Sequence, residues 1–170
     1  MHSPGKPFFT LTAEDLMTRE VITIRQEMSL SAAARLLSRA QITGAPVVDA
    51  EGVCVGVVSA TDFLCLADRE RRTAATAHAG ARCICSDWQV MEQHELPPDE
   101  VRDHMTADPV TVRPGTPIGE LAGLMLNAHI HRVIVVDGKG RPMGVVSSTD
   151  VIAAVAQAAA NRPEAARAAN

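Results

Sequence analysis

The sequence predicts a mixed α/β fold of the α+β class, built from two copies of one β-α-β-β-α unit. The first observation behind this is an internal repeat. With a constant offset of 88 residues and no gap, Asp15–Leu64 matches Asp103–Ile152 at 19 of 50 positions. The identities gather in three places. Asp15-Leu16-Met17-Thr18 faces Asp103-His104-Met105-Thr106, and Val47-Val48-Asp49 faces Val135-Val136-Asp137. Gly56-Val57-Val58-Ser59-Ala60-Thr61-Asp62 faces Gly144-Val145-Val146-Ser147-Ser148-Thr149-Asp150. The second observation is that short β-branched runs alternate with apolar residues at helical spacing in each copy. The third is a pair of apolar runs around a glycine-bearing turn, also in each copy, which reads as a β-hairpin. A unit of roughly 50 residues buries too little surface to stand alone, so the copies are expected to pack as a pseudo-twofold pair.

The second copy is the more clearly punctuated. Val110-Thr111-Val112 reads as a short strand. Thr116 then offers a capping hydroxyl, and Pro117 suits the first position of a helix. Ile118, Leu121, Leu124, Met125 and Ala128 fall on one face of that helix. Arg132–Val136 and Met143–Val146 flank the turn Asp137-Gly138-Lys139-Gly140. Ser147 opens a second helix that continues through Val151, Ile152 and Val155. The first copy repeats the order. Ile22-Thr23-Ile24 is its strand and Leu30–Ala40 its helix. Ala45–Asp49 and Val53–Val58 surround Glu51-Gly52, and Ser59 opens the last helix. Strands that read as nearly continuous apolar runs need cover on both faces.

Composition narrows the function. The chain has 170 residues, a net charge of −4 and scattered basic residues, which argues against a nucleic-acid surface. Three Phe, one Trp and no Tyr leave little for stacking on bases. No apolar run approaches the ~20 residues that span a bilayer. Met1–Pro7 lacks the basic and apolar regions of a signal peptide, so a cytoplasmic location is expected, either alone or as the cytosolic piece of a larger system. Cys54, Cys65, Cys83 and Cys85 are unevenly spaced and form no disulfide framework, and reduced thiols fit the same location.

Two motifs carry candidate chemistry. Ser59-x-x-Asp62 and Ser147-x-x-Asp150 each open a helix. Such a pair serves as a capping box, the carboxylate favouring the positive helix end. A helix start after a Gly-Val-Val strand is also an anion site, and an Asp beside it can accept hydrogen bonds from the paired hydroxyls of a ribose. His131-Arg132, at the start of the second hairpin, is either solvated surface or a phosphate grip, since an Arg fork suits bidentate contact and His adds a donor. The first copy has Thr43-Gly44 there, without a cation.

The order of elements, the Met-Thr beginning, the Val-Val-Asp strand and the Gly-Val-Val-Ser-x-Thr-Asp ending together resemble a tandem pair of cystathionine-β-synthase (CBS) domains. The resemblance covers roughly residues 12–67 and 96–157. It implies two clefts between the repeats, each able to take an adenosine-containing ligand such as AMP, ADP, ATP or S-adenosylmethionine. It assigns ribose and phosphate contacts to Asp150, Ser147 and Thr149, and to Asp62, Ser59 and Thr61. The second copy, with His131 and Arg132, resembles the adenylate-sensing members, and its site ranks above the first. Backbone and apolar groups of Val110-Thr111 and of Ile22-Thr23 would hold the adenine. The resemblance further implies a homodimer and a regulated protein, for example a membrane transporter or an enzyme. No cofactor and no catalytic or metal residue is assigned, and no nucleophile–base pair, paired carboxylates or phosphate loop points to an enzyme.

The remaining segments are a tail over 1–11, an insert over 68–95 and a C-terminal tail over 158–170. Ala153–Asn170 reads as a helix that stops near Pro163. Pro97-Pro98-Asp99-Glu100 suits a first helical turn. His78, Cys83, Cys85, His94 and His104 could together bind Zn²⁺, but Cys-x-Cys is not the usual spacing. Trp88 and Met91 would instead pin the insert by apolar burial. A metal- or redox-responsive protein and a ligand-free dimerisation module are therefore the alternatives to an adenosine sensor.

Overall fold

A computed structural model describes residues 6–66 and 98–160. His78, Cys83, Cys85, Trp88, Met91 and His94, and the tail beyond Ala160, lie outside the described residues. The elements run α1 (Ala13–Leu16), β1 (Ile24–Arg25), α2 (Leu30–Arg39), β2 (Gly44–Val48) and β3 (Cys54–Ser59). The chain is then helical over 60–66, here α3. There follow β4 (Thr106–Ala107), β5 (Thr111–Val112), α4 (Ile118–Asn127), β6 (Arg132–Val136), β7 (Pro142–Ser147) and α5 (Ser148–Ala160). The duplicated β-α-β-β-α order and the mixed α/β class are both present.

Two compact units form, and neither is one continuous stretch. The unit of the second copy takes the chain up to Ile22, the hairpin tip Ala50–Cys54 and the residues from Asp108 onward. Its sheet has the order β5-β6-β7. β5 runs parallel to β6, with Thr111 opposite Ile134, and β6 runs antiparallel to β7, with Arg132 opposite Ser147. Thr18 adds a bridge on the free edge, its N–H donating to Val145 O at 3.0 Å and its carbonyl oxygen accepting from Val145 N–H at 3.1 Å. Leu11, Ala13, Leu16 and Met17 are buried in one core with Leu121, Val133, Val135 and Val146. The Met17 thioether occupies the space that a Cβ on Gly144 would need, so this glycine is required for the approach.

The unit of the first copy comprises Thr23–Asp49 and Val55–Ala107. Its sheet has the order β1-β2-β3-β4, with β1 parallel to β2 and β4 antiparallel to β3. Val57 pairs with Thr106, which is the 88-residue image of the Val145–Thr18 bridge. Met105 lies over Gly56 as Met17 lies over Gly144. Ile24, Leu30, Ala33, Val47, Val58 and Val101 are fully buried together. Each Met-Thr lead-in therefore packs on the hairpin of the other copy.

This exchange explains two departures from the sequence reading. Thr116 does not cap α4. Its hydroxyl accepts from Arg113 N–H at 3.2 Å, Pro117 stands at the cap in extended conformation, and Ile118 N–H donates to Leu11 O at 2.9 Å. The lead-in backbone satisfies the orphan amide that a side chain would otherwise take. Nor do Asp99 and Glu100 begin a helical turn. Asp99 O accepts from Leu30 N–H at 3.1 Å, Glu100 is extended, and only Val101–Asp103 coils into a short 3-10 turn. The first helix of each copy is started by the other copy's lead-in.

Candidate functional site

In the unit of the second copy, the strand directions bring three chain segments to one rim. The beginnings of β5 and β6 and the end of β7 lie at the same end of the sheet, because β5 is parallel and β7 antiparallel to β6. Val110 O accepts from Ile134 N–H at 3.4 Å, and His131 O accepts from Ser148 N–H at 2.9 Å, which ties the rim together. α5 begins there. Thr111, His131, Arg132 and Thr149 are exposed, while Val110, Ser147 and Asp150 are half-buried. All seven residues proposed from the sequence for this copy are brought to one end of one sheet.

At the start of α5 the capping box is complete. Ser147 donates to Asp150 Oδ2 through its N–H at 2.7 Å and through its hydroxyl at 2.6 Å. Asp150 N–H donates back to Ser147 Oγ at 3.3 Å. Both bonds received by the carboxylate fall on Oδ2, so its orientation is fixed, and Oδ1 is the oxygen available to hydroxyl donors. A positively charged fork at Arg132 and the positive end of a thirteen-residue helix share the rim. Together they favour an anion joined to a hydroxyl-bearing group.

The first copy builds the same scaffold with a different lining. Ala60 N–H donates to Thr43 O at 2.9 Å, matching the Ser148–His131 bond. Ser59 donates to Asp62 Oδ2 through N–H at 2.7 Å and hydroxyl at 2.8 Å. Thr23 and Thr61 are exposed on this unit. Ile22, which precedes Thr23, is 39% exposed. At Gly44, which replaces Arg132, a Cβ would stand 3.1 Å from Val58 O and 3.3 Å from Ser59 Cβ. No cation stands at this position, and space for a side chain is tight.

A separate groove of about 330 Å³ runs along β5 and α4, lined by Thr111, Val112, Arg113, Thr116, Glu120, Leu124 and Val136. It shares only Thr111 with the rim. His104, one of the candidate metal ligands, is bonded through Nε2 to Asp99 Oδ2 at 2.8 Å. The sequence reading passed over Asp108, which holds a positive φ of 53° just before the rim strand. The Asp-Pro dipeptide at 108–109 was the available signal.

Comparison with known proteins places these features in a family. The family model described as "CBS domain" matches residues 13–67 and 101–157. The CBS domain-containing protein CBSX2, chloroplastic, of Arabidopsis thaliana is 29% identical over 153 residues, covering 86% of this chain and 64% of that protein. A homoserine O-acetyltransferase of Methanohalobium evestigatum is 26% identical over 81% of this chain but only 22% of its own length. The chain thus spans less than two thirds of these relatives. The crystal structure of CBSX2 in complex with AMP superposes with a TM-score of 0.65, covering 86% of this chain and 96% of that one. The CBS domain pair of protein MJ0100, crystallised with 5′-methylthioadenosine and S-adenosyl-L-methionine, shares the fold at 22% identity, with a TM-score of 0.63 over 87% of this chain and 98% of that one. With the family model on both copies and the duplicated fold beneath it, this chain belongs to the CBS-domain family.

Proposed function

We propose that this chain is a non-catalytic sensor of an adenosine-containing ligand, AMP first and ADP, ATP or S-adenosylmethionine as alternatives, and that it regulates a partner protein. One observation carries the reading. Asp150, Ser147, Thr149, His131, Arg132, Val110 and Thr111 meet at one rim of a chain that shares its fold with AMP-bound CBSX2. Asp150 Oδ1 would accept from the ribose hydroxyls. Arg132 and His131, with the amides at the start of α5, would hold phosphate, and the Val110–Thr111 backbone would flank the base. Asp62, Ser59, Thr61 and Thr23 form the lesser site, without the cationic pair. Binding regulates only if the ligand favours one arrangement of the protein over another. The regulated protein is a membrane transporter or an enzyme, and the setting is the cytoplasm.

The chain is further proposed to act as a homodimer through its helical faces. Leu64 on α3 and Ile152 on α5 are images under the repeat, 59% and 66% exposed, and Val155 is 50% exposed. Exposed apolar residues at matching positions suit a self-complementary contact.

The decisive measurement is thermal stability against a panel of AMP, ADP, ATP and S-adenosylmethionine, for wild type, Asp150→Ala and Asp62→Ala. Ligand at 100 times its Kd should stabilise wild type by about 2.7 kcal/mol. Asp150→Ala should lose that response and Asp62→Ala should keep it. A wild type that responds to none of the four sinks the sensor reading. The reverse pattern of variants would move the main site to the first copy.

A further inference from the structure

Asp108 joins β4 to the strand that borders the second-copy rim, and its φ is 53°. Non-glycine residues seldom occupy this left-handed region, and Asp and Asn tolerate it best. Gln41 and His129 are the other non-glycine residues with positive φ among those described. Both have an ordinary reason. They end α2 and α4, and the residue after each closes the helix, Ile42 N–H to Leu37 O at 3.1 Å and Ile130 N–H to Met125 O at 3.0 Å. Asp108 ends no helix.

Its surroundings give the turn a different role. Pro109 follows, its ring holding its own φ near −65° and restricting the backbone of the residue before it. Thr106 and Ala107 are fixed by pairing with Val57 and Gly56. Beyond the elbow, Val110 O is bonded to Ile134 N–H and Thr111 is paired with Ile134. The first copy has Glu20-Val21 at the matching positions, with no proline, and Glu20 is not among the positive-φ residues.

We propose that Asp108 is a positioning residue for the adenosine site, its left-handed turn delivering Val110 and Thr111 to the rim beside Arg132 and Ser147. This rests on the ligand reading above. Asp108 acts through the backbone it shapes.

The test uses the whole chain with AMP as probe, measuring Kd by calorimetry and the melting temperature without ligand. Asp108→Asn, which accepts the left-handed region, should leave Kd within about twofold of wild type. Asp108→Val, whose β-branch opposes that region, should raise Kd by about tenfold or more. Should the valine variant fail to fold, Asp108→Ala meets the same φ with a smaller side chain and should raise Kd several-fold. A valine or alanine variant that melts lower but keeps the wild-type Kd makes Asp108 merely structural and overturns the proposal. An asparagine variant that loses affinity as fully as valine overturns it too, because the carboxylate would then be acting directly. A wild type that fails to bind AMP removes the ligand reading itself, and this proposal with it.

Discussion

At the scale of single residues, the chain places its polar contacts where backbone groups lack partners. Ser147 and Asp150 satisfy the start of α5, and that bond set is structural whatever the rim binds. Ser147→Ala should therefore cost about 1 kcal/mol in urea unfolding even without ligand. Asp15 shows a second such case, with a pH signature. The Lys6 ammonium, 2.7 Å from Oδ1, together with the N–H and hydroxyl of Thr12, holds the Asp15 carboxyl below the usual carboxylate range. A carboxylate depressed in the folded state contributes stability above its unfolded pKa and loses it as pH falls through the folded value. In thermal melts across acidic pH, Lys6→Met should shrink that contribution and flatten the loss relative to wild type. Identical acid profiles would show that the pair adds nothing. The capping box at the start of α5 was legible at this scale because Ser-x-x-Asp after a strand is a helix-start signature. Asp108 was not, since one dipeptide does not reveal its dihedral angle.

At the scale of elements, the order of strands and helices was readable, because its period and its glycine turns are written twice. The exchange of lead-ins was hidden for the same reason. Met17-Thr18 and Met105-Thr106 are identical, as are Gly56-Val57 and Gly144-Val145, so either pairing satisfies the sequence. Only three-dimensional packing distinguishes them. Thr116 misled for a related reason: a suitable capping side chain was present, but the lead-in backbone had already taken the amide. The Met–glycine contacts make the exchange measurable. Gly144→Ala places a Cβ where the Met17 thioether lies and should cost about 1–3 kcal/mol. In a Met17→Ala background the same change should cost clearly less, a coupling that a double-mutant cycle in urea would expose. Additive effects would mean that the two do not compete for one space.

At the scale of the whole molecule, the two copies share a scaffold but differ in lining. Arg132 faces Ser147 in one, and Gly44 lies close to Ser59 in the other. The helix-start capping boxes are common to both copies, while the positions proposed to face a ligand differ. Self-association is the property to test here. Ile152→Asp should shift the proposed dimer toward monomer in sedimentation while leaving the monomer folded, since Ile152 is 66% exposed. A monomeric wild type would remove the dimer proposal.

The exchanged lead-ins also fix an order of events during synthesis. The bridge between Thr18 and Val145 joins residues 127 apart (145 − 18), whereas the bridge between Val57 and Thr106 joins residues 49 apart (106 − 57). Leu11, Leu16 and Met17 are made well before their core partners on β7, which follow more than a hundred residues later. At roughly 5–20 residues per second, those apolar side chains wait on the order of ten seconds for a place to go. The unit of the first copy can close while translation continues. The lead-in around Leu11–Thr18 is thus folded after the unit of the first copy, although it is made before it.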